Sequence, residues 1–404
     1  MSNPIHHQVV VVGGGAGGLG IAARLMRDQG ISDVAIIEPA DKHYYQPLWT
    51  LVGGGVVSRE ESVRPMASLI PKGAQWIQDA VTEFQPEDNR IKTRDGKDIS
   101  YDYLVVAPGI QIDWNKIKGL PEALGKDGVC SNYSYDTVNS TWENIRNFKG
   151  GNAVFTFPPP PIKCAGAPQK IMYLAEDYFR KQGIRDKSRV VYYCATPSIF
   201  SAPHYAAALN KQVVGPRNID VLYKHNLVEV RAAAKEAVFQ NTETGETVVQ
   251  AYDMLHAVPP MSAPDFIKQS PLANETGWVN VDKATLQHVR YPNIFSLGDA
   301  SSLPTSKTAA AVRAQAPVLE ANLLAVLRGQ PLPASYDGYT SCPLVTAYDK
   351  LILAEFDYDL KPRETFPFDQ SKERWSMYQL KRYVLPVIYW QGLVKGYKWP
   401  NFGA

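Results

Sequence analysis

Val9-Val10-Val11-Val12-Gly13-Gly14-Gly15-Ala16-Gly17-Gly18, a helical stretch to about residue 29, and then Val34-Ala35-Ile36-Ile37-Glu38 together decide the fold. Four β-branched residues in a row suit a parallel strand buried on both faces, where no polar alternation is needed. The glycines follow as G-x-G-x-x-G, and the second apolar run ends on a carboxylate. Each part has a physical task. Gly13 permits a tight turn, Gly15 lets a pyrophosphate approach the backbone, and Gly18 lets helix and strand pack closely, with Ala16 and Gly17 between them. The helix start aims unpaired N–H groups and a positive dipole end at the phosphates. Glu38, twenty residues past Gly18, is placed to accept hydrogen bonds from a ribose. A merely flexible glycine loop would need none of the other parts. The stretch predicts dinucleotide binding in an α/β unit.

Working outward, a faint repeat emerges. Asp95-Gly96 signals a hairpin leading into Tyr101-Asp102-Tyr103-Leu104-Val105-Val106-Ala107-Pro108-Gly109. Thr244-Gly245-Glu246 signals another, leading into Tyr252-Asp253-Met254-Leu255-His256-Ala257-Val258. The matched Tyr-Asp-x-Leu strands predict two copies of one α/β unit. The phosphate turn of the second copy is expected after Arg189-Val190-Val191-Tyr192-Tyr193-Cys194, at Ala195-Thr196-Pro197-Ser198-Ile199-Phe200. That turn has no glycine, and Pro197 removes a donor, so the second copy is degenerate for nucleotide binding. A nicotinamide-dependent enzyme would need both copies. Asn293-Ile294-Phe295-Ser296-Leu297-Gly298-Asp299 then completes the first site, where a strand ending in Gly-Asp can set a carboxylate beside a cofactor hydroxyl. A helix is expected from about 307 to 327, with Lys307 at its positive end.

The chain has 404 residues, 45% apolar and 20% charged, which suggests two or three globular domains and argues against a disordered or disulfide-scaffold protein. Lys+Arg 42 against Asp+Glu 40 is too even to predict a nucleic-acid partner. No apolar run approaches the roughly 18–20 residues of a membrane span, and the N-terminus, with His6 and His7 in a frayed tail, carries no signal or transit pattern. Cys130, Cys164, Cys194 and Cys342 form no Cys-x-x-Cys pair and the histidines no helical pair, so no metal site is expected.

Two cysteine motifs narrow the function: Pro161-Ile162-Lys163-Cys164-Ala165-Gly166-Ala167-Pro168-Gln169-Lys170 and Tyr339-Thr340-Ser341-Cys342-Pro343-Leu344-Val345. Glu364-Thr365-Phe366-Pro367-Phe368-Asp369-Gln370-Ser371-Lys372-Glu373-Arg374 is a third distinctive stretch. With the glycine turn, Ala107-Pro108-Gly109 and Gly298-Asp299, they resemble the flavoproteins with two dinucleotide-binding domains. More narrowly, the chain resembles sulfide:quinone oxidoreductases of the mitochondrial-like type over essentially its whole length. The resemblance implies two Rossmann-like (glutathione reductase-like) domains and noncovalent FAD. The cofactor-binding candidates are Gly13, Gly15, Ala16, Gly17, Gly18, Glu38, Gln46, Ala107, Gly109, Asp299 and Lys307. It also implies Cys164 and Cys342 as the catalytic pair, cycling through sulfur-bridged and persulfide states. Hydrosulfide would attack the bridge at Cys342, and the Cys164 thiolate would pass two electrons through the flavin to a ubiquinone-like quinone. The persulfide sulfur would go to a small acceptor such as glutathione, sulfite or cyanide, or chain into polysulfide.

Local chemistry agrees. Pro168 suits the first turn of a helix, so Cys164 should lie just ahead of a positive helix end, with Lys163 and Lys170 nearby, a setting that lowers a thiol pKa. Cys194 is expected to be a buried bystander, and Cys130 is taken as a bystander over a participant. The expected division is 1–115 and 270–335 for FAD, 116–269 for the degenerate copy, and 336–404 for a C-terminal quinone- and membrane-associating region. Fourteen of residues 339–404 are aromatic. The run 383–390, flanked by Lys381, Arg382 and Lys395, suits an amphipathic segment lying in a bilayer interface. The expected location is a bacterial plasma membrane or mitochondrial inner membrane, with a homo-oligomer left open. The competing functions are an NADH:quinone oxidoreductase of the same fold, a soluble sulfide dehydrogenase, and a catalytically silent flavin-binding protein.

Overall fold

The computed structural model describes residues 5–27 and 31–397. The strand Ile5–Val12 runs between Val34–Ile37 and Asp98–Val106, parallel to both, with Val10 opposite Ala35 and Leu104. Val9, Val10 and Val11 are fully buried, as a strand covered on both faces requires. Gln75–Ile77 extends the sheet beyond Val34–Ile37, and Ile294–Ser296 pairs with Asp98–Val106. The Asp95-Gly96 hairpin forms, joining Arg90–Thr93 antiparallel to Asp98–Val106, with Gly96 at φ +80°. Two details differ from expectation. His6 and His7 belong to the first strand, and His7 is 5% exposed with Nδ1 2.7 Å from Asp33 Oδ1. The first helix spans Ala16–Leu25; residues 28–30, where it was expected to end, lie outside the described ones.

A second parallel sheet runs in the order Val129–Cys130, Met254–His256, Gly151–Phe157, Ser188–Cys194, Asp220–Tyr223. The repeat is real. Leu104 lies opposite Val10 in one sheet, and its counterpart Leu255 lies opposite Val154 in the other. That register makes Gly151–Phe157 the counterpart of the first strand and corrects the sequence assignment. The turn matching the glycine turn is not residues 195–200 but residues 158–166, which carry Cys164 and lead into the helix Ala167–Lys181. Ser188–Cys194 matches the second strand, Val34–Ile37, instead.

The hairpin Thr340–Ala347 and Lys350–Phe356 lies between the two cores. Strand side chains alternate faces, so Tyr339 and Val345 join the core of the first sheet while Cys342 and Leu344 join that of the second. The helix Ala309–Leu327 is, contrary to expectation, long and apolar enough for a membrane span. Half of it is buried in the protein, and its Glu320 pairs with Arg24 of the first helix at 2.7 Å, so it serves as a core helix. Beyond the hairpin, an unbroken helical run from Trp375 to Lys395 alternates α-, π- and 3-10-type turns, with Pro386 in the first turn of the stretch Leu385–Val387.

Candidate active site

The glycine turn is built for close approach. A Cβ on Gly13, whose φ is +101°, would overlap the Ala107 carbonyl, and one on Gly18 would overlap the Gly13 carbonyl. Gly15 is different. It precedes the helix at an ordinary φ of −75°, and a Cβ there would meet nothing within 4 Å. Neither strain nor packing requires glycine at 15, which leaves a ligand's approach to the helix end as the reason. Glu38 folds back onto the turn, its Oε2 accepting from the Gly14 N–H at 2.7 Å and its Oε1 from Ala40 at 2.8 Å. Ala107 donates to the Val12 carbonyl at 2.8 Å, and Gly109 has φ +85° with open space beside it. Ala16 and Gly17 form the first helical turn. These residues fit a dinucleotide.

Lys307 lies just ahead of the helix expected from about that residue. The helix starts at Ala309, and Thr308 Oγ1 caps it by accepting from Ala311 N–H at 3.0 Å. Lys307 Nζ instead donates to the carbonyls of Asp299 at 2.6 Å and Ser301 at 3.2 Å, and lies 3.9 Å over the Trp278 ring. Burial brings its pKa down to about 8. Burial pushes the Asp299 carboxyl up, with Lys307 and Lys163 opposing.

Cys164 sits in the turn that replaces a phosphate loop. Its φ is +54°, its N–H donates to the Lys307 carbonyl at 2.8 Å, and its carbonyl accepts from Ala167 at 2.8 Å. The helix Ala167–Lys181 begins within three residues, with Pro168 in its first turn. Lys170 Nζ donates to Cys164 Sγ at 3.2 Å. Gly166 makes the approach to the hairpin feasible, since a Cβ there would overlap Leu344. A hydrogen bond from the Cys342 thiol, together with Lys170 and Lys381, holds Cys164 well below the usual thiol range against its own burial. The same hydrogen bond and burial push Cys342 well up.

The remaining cysteines sit in apolar strands. Cys130 donates to the Leu255 carbonyl and burial pushes it up to about 12; Cys194 lies 3.0 Å from Thr196 Oγ1 and is also raised by burial. Gln46 Oε1 accepts from Lys163 Nζ at 2.7 Å, which joins that cofactor candidate to the cysteine turn. Burial brings Lys163 to about 8, and its Nζ lies 5.0 Å over the Trp49 ring. On the surface, His204, Glu364 and Asp369 bring ligand atoms within 4.8 Å of one another, a grouping from distant segments that spacing could not reveal.

The tail corrects two expectations. Lys381 is no surface cation: it is 2% exposed, and its Nζ donates to the Pro47 carbonyl at 2.9 Å. The apolar run also divides. Tyr383, Val384 and Val387 are exposed, whereas Tyr389 and Trp390 are buried, with Tyr389 Oη 2.6 Å from His43 Nε2. Arg382 reaches Glu61 at 3.3 Å and Lys395 reaches Gln391 at 2.6 Å.

Over 393 residues, 97% of this chain and 87% of the relative, the sequence is 54% identical to a mitochondrial sulfide:quinone oxidoreductase of Mus musculus. The chain belongs to the sulfide:quinone oxidoreductase family. A relative of that name from Dictyostelium discoideum is 53% identical over 96% of this chain and 86% of its own length. The family model described as pyridine nucleotide-disulphide oxidoreductase matches residues 7–144, the part that holds the glycine turn. The solved sulfide:quinone oxidoreductase of Aquifex aeolicus shares the fold at a TM-score of 0.82 and 20% identity, covering 98% of this chain and 93% of that one.

Proposed function

We propose that this chain oxidises hydrogen sulfide and reduces a ubiquinone-like quinone, with Cys164 and Cys342 carrying the sulfur and the glycine turn holding FAD. The observation that carries this reading is the sulfur pair. Lys170 Nζ bonds the Cys164 sulfur at 3.2 Å, and Cys164 is drawn below the usual thiol range while its neighbour Cys342 is pushed above it.

In the oxidised pair, hydrosulfide attacks the Cys342 sulfur. A bond forms between the two sulfurs, the bond to Cys164 breaks, and the electron pair leaves on Cys164 as thiolate. Lys170 stabilises that leaving group before and after the step. A small nucleophile such as glutathione, sulfite or cyanide then takes the outer sulfur and leaves Cys342 as a thiolate. The two thiolates close back to the bridge by giving up two electrons. FAD at the glycine turn would supply the acceptor for that pair and its relay to quinone. Glu38, Gly15 and the helix end would hold its ribose and phosphates, and Gln46, Asp299, Lys163 and Lys307 line the approach to the cysteine turn.

An NADH-dependent reaction is disfavoured because residues 158–166 hold prolines and Cys164 where a second phosphate turn would need glycines. The exposed Trp375, Tyr383, Val384 and Val387 favour a membrane quinone over a soluble electron acceptor. We further propose the division into 1–115 with 270–335, 116–269 and 336–404, and a monotopic place on the mitochondrial inner membrane or its bacterial counterpart. Peptide mass mapping of protein quenched after one equivalent of sulfide tests the sulfur chemistry. The added sulfur is expected on Cys342, and finding it on Cys164 alone, or on neither, would reverse or reject the assignment.

A further inference from the structure

His43 stands between the glycine turn and the end of the chain. Its ring is 4% exposed, with Nδ1 2.9 Å from the Gly14 carbonyl and Nε2 2.6 Å from Tyr389 Oη. A carbonyl can only accept, so Nδ1 carries the hydrogen. Burial lowers the ring's pKa from its usual value and keeps it neutral, so Nε2 offers a lone pair and the Tyr389 hydroxyl donates to it. That hydroxyl thereby selects the tautomer that Gly14 needs. Both peptide groups of Gly14 are then held, its N–H by Glu38 Oε2 at 2.7 Å and its carbonyl by His43. The Gly14 carbonyl and the Gly15 N–H belong to one planar trans peptide, so fixing the first turns the second the opposite way. Gly15 is exposed, and its N–H has no partner among the described residues. The tail also lies against the helix that follows the turn. A Cβ on Gly20 would stand 3.3 Å from the Leu393 carbonyl, and one on Gly396 would overlap the backbone of Ala23 and Arg24. Tyr45 packs on Tyr389 at 4.3 Å between ring centres, and Trp390 meets His43 edge-on at 5.7 Å.

We propose that His43 and Tyr389 are positioning residues for FAD: through them the C-terminal segment holds the glycine turn with its Gly15 N–H turned toward the dinucleotide phosphates. The inference rests on the reading of the glycine turn as the FAD site. It makes the tail part of that site, a role that neither membrane attachment nor quinone delivery requires. Tyr383, Val384 and Val387 of the same helical run are exposed. One segment therefore carries an apolar outer face and, on its inner side, the brace of the flavin site. The role lies in retaining FAD, not in electron transfer.

The test starts from the yellow protein and follows FAD release on dilution by the rise in flavin fluorescence. Tyr389→Phe loses one hydroxyl, keeps the ring, and should release FAD about three- to tenfold faster. His43→Asn puts an amide N–H near the place of Nδ1 and should behave like Tyr389→Phe. His43→Gln reaches the place of Nε2 instead, leaves the Gly14 carbonyl unpaired, and should release FAD faster still. Tyr348→Phe controls for the loss of a tyrosine–carbonyl bond elsewhere, since Tyr348 Oη donates to the Gly54 carbonyl at 2.6 Å. It should keep the wild-type release rate. Wild-type release from Tyr389→Phe would overturn the inference, as would equal acceleration in Tyr348→Phe or slower release from His43→Gln than from His43→Asn. A wild-type protein that holds no flavin would reject the reading of the glycine turn itself, and this inference with it.

Discussion

Residues 13–18 and residues 158–166 follow corresponding parallel strands of two sheets and each leads into a helix, yet they share almost no chemistry. The first is short and glycine-built, and at Gly15 it opens onto empty space at a helix end. The second is longer and proline-rich, folds across to the Lys307 carbonyl, and lifts Cys164 into a left-handed conformation against the hairpin. A turn with prolines and a single glycine, Gly166, lacks the glycine set that cradles phosphate, but it still stands at the carboxyl end of a parallel strand, where open α/β sheets place their ligands. In the second sheet that position holds a sulfur.

The sharpest way to break this contrast is to remove the sulfurs. Cys164→Ser or Cys342→Ser should leave FAD bound and lower sulfide-dependent quinone reduction by about a thousandfold or more, whereas Cys130→Ser should retain most activity. Steady-state rates on yellow, folded protein check this, and normal turnover in either variant of the pair would end the comparison.

The glycine turn makes a second, finer test. Gly18→Ala drives a Cβ into the Gly13 carbonyl and should destabilise the fold by about 1–3 kcal/mol or more, read by urea unfolding. Gly15→Val places its side chain in open space at an unstrained φ. It should leave the stability of the FAD-free protein nearly unchanged while weakening FAD binding more than about tenfold. Equal loss of stability in both would remove the argument that position 15 is kept for a ligand.

Much of this was legible from residues alone. The run Val9-Val10-Val11-Val12, the glycines and Glu38 declare themselves because strand burial, tight turns and helix ends each demand particular residue types. The two cysteine motifs were legible through their resemblance to the sulfide:quinone oxidoreductase family, with Pro168 at a helix start agreeing locally. The second turn was misplaced because Val190-Val191 looks more like a first strand than Gly151-Asn152-Ala153-Val154 does, and only the register of Leu255 against Val154 separates them. Lys381 was misread because a lysine in a basic, aromatic segment ordinarily points to solvent. Its burial depends on the Gln46-Pro47 turn, more than three hundred residues away in the chain. Long-range partners of that kind leave no mark on spacing.

The smallest expected effect lies at the tail. Removing residues after Gln379 would delete the buried Lys381, and its bond to the Pro47 carbonyl, along with the apolar face. Tyr383→Ser with Val387→Ser separates the two, since both side chains point outward. The pair should weaken sedimentation with liposomes severalfold, at ~25 cal/mol per Å² of lost apolar burial, and leave flavin reduction by sulfide unchanged. Unchanged liposome binding would reject the interfacial role of that face.

Anaerobic titration of the yellow protein, followed by flavin absorbance, tests the central claim most directly. Sulfide should bleach the flavin stoichiometrically in the wild type and fail to do so in Cys164→Ser, while NADH should bleach neither. Bleaching of the wild type by NADH but not by sulfide would contradict the account.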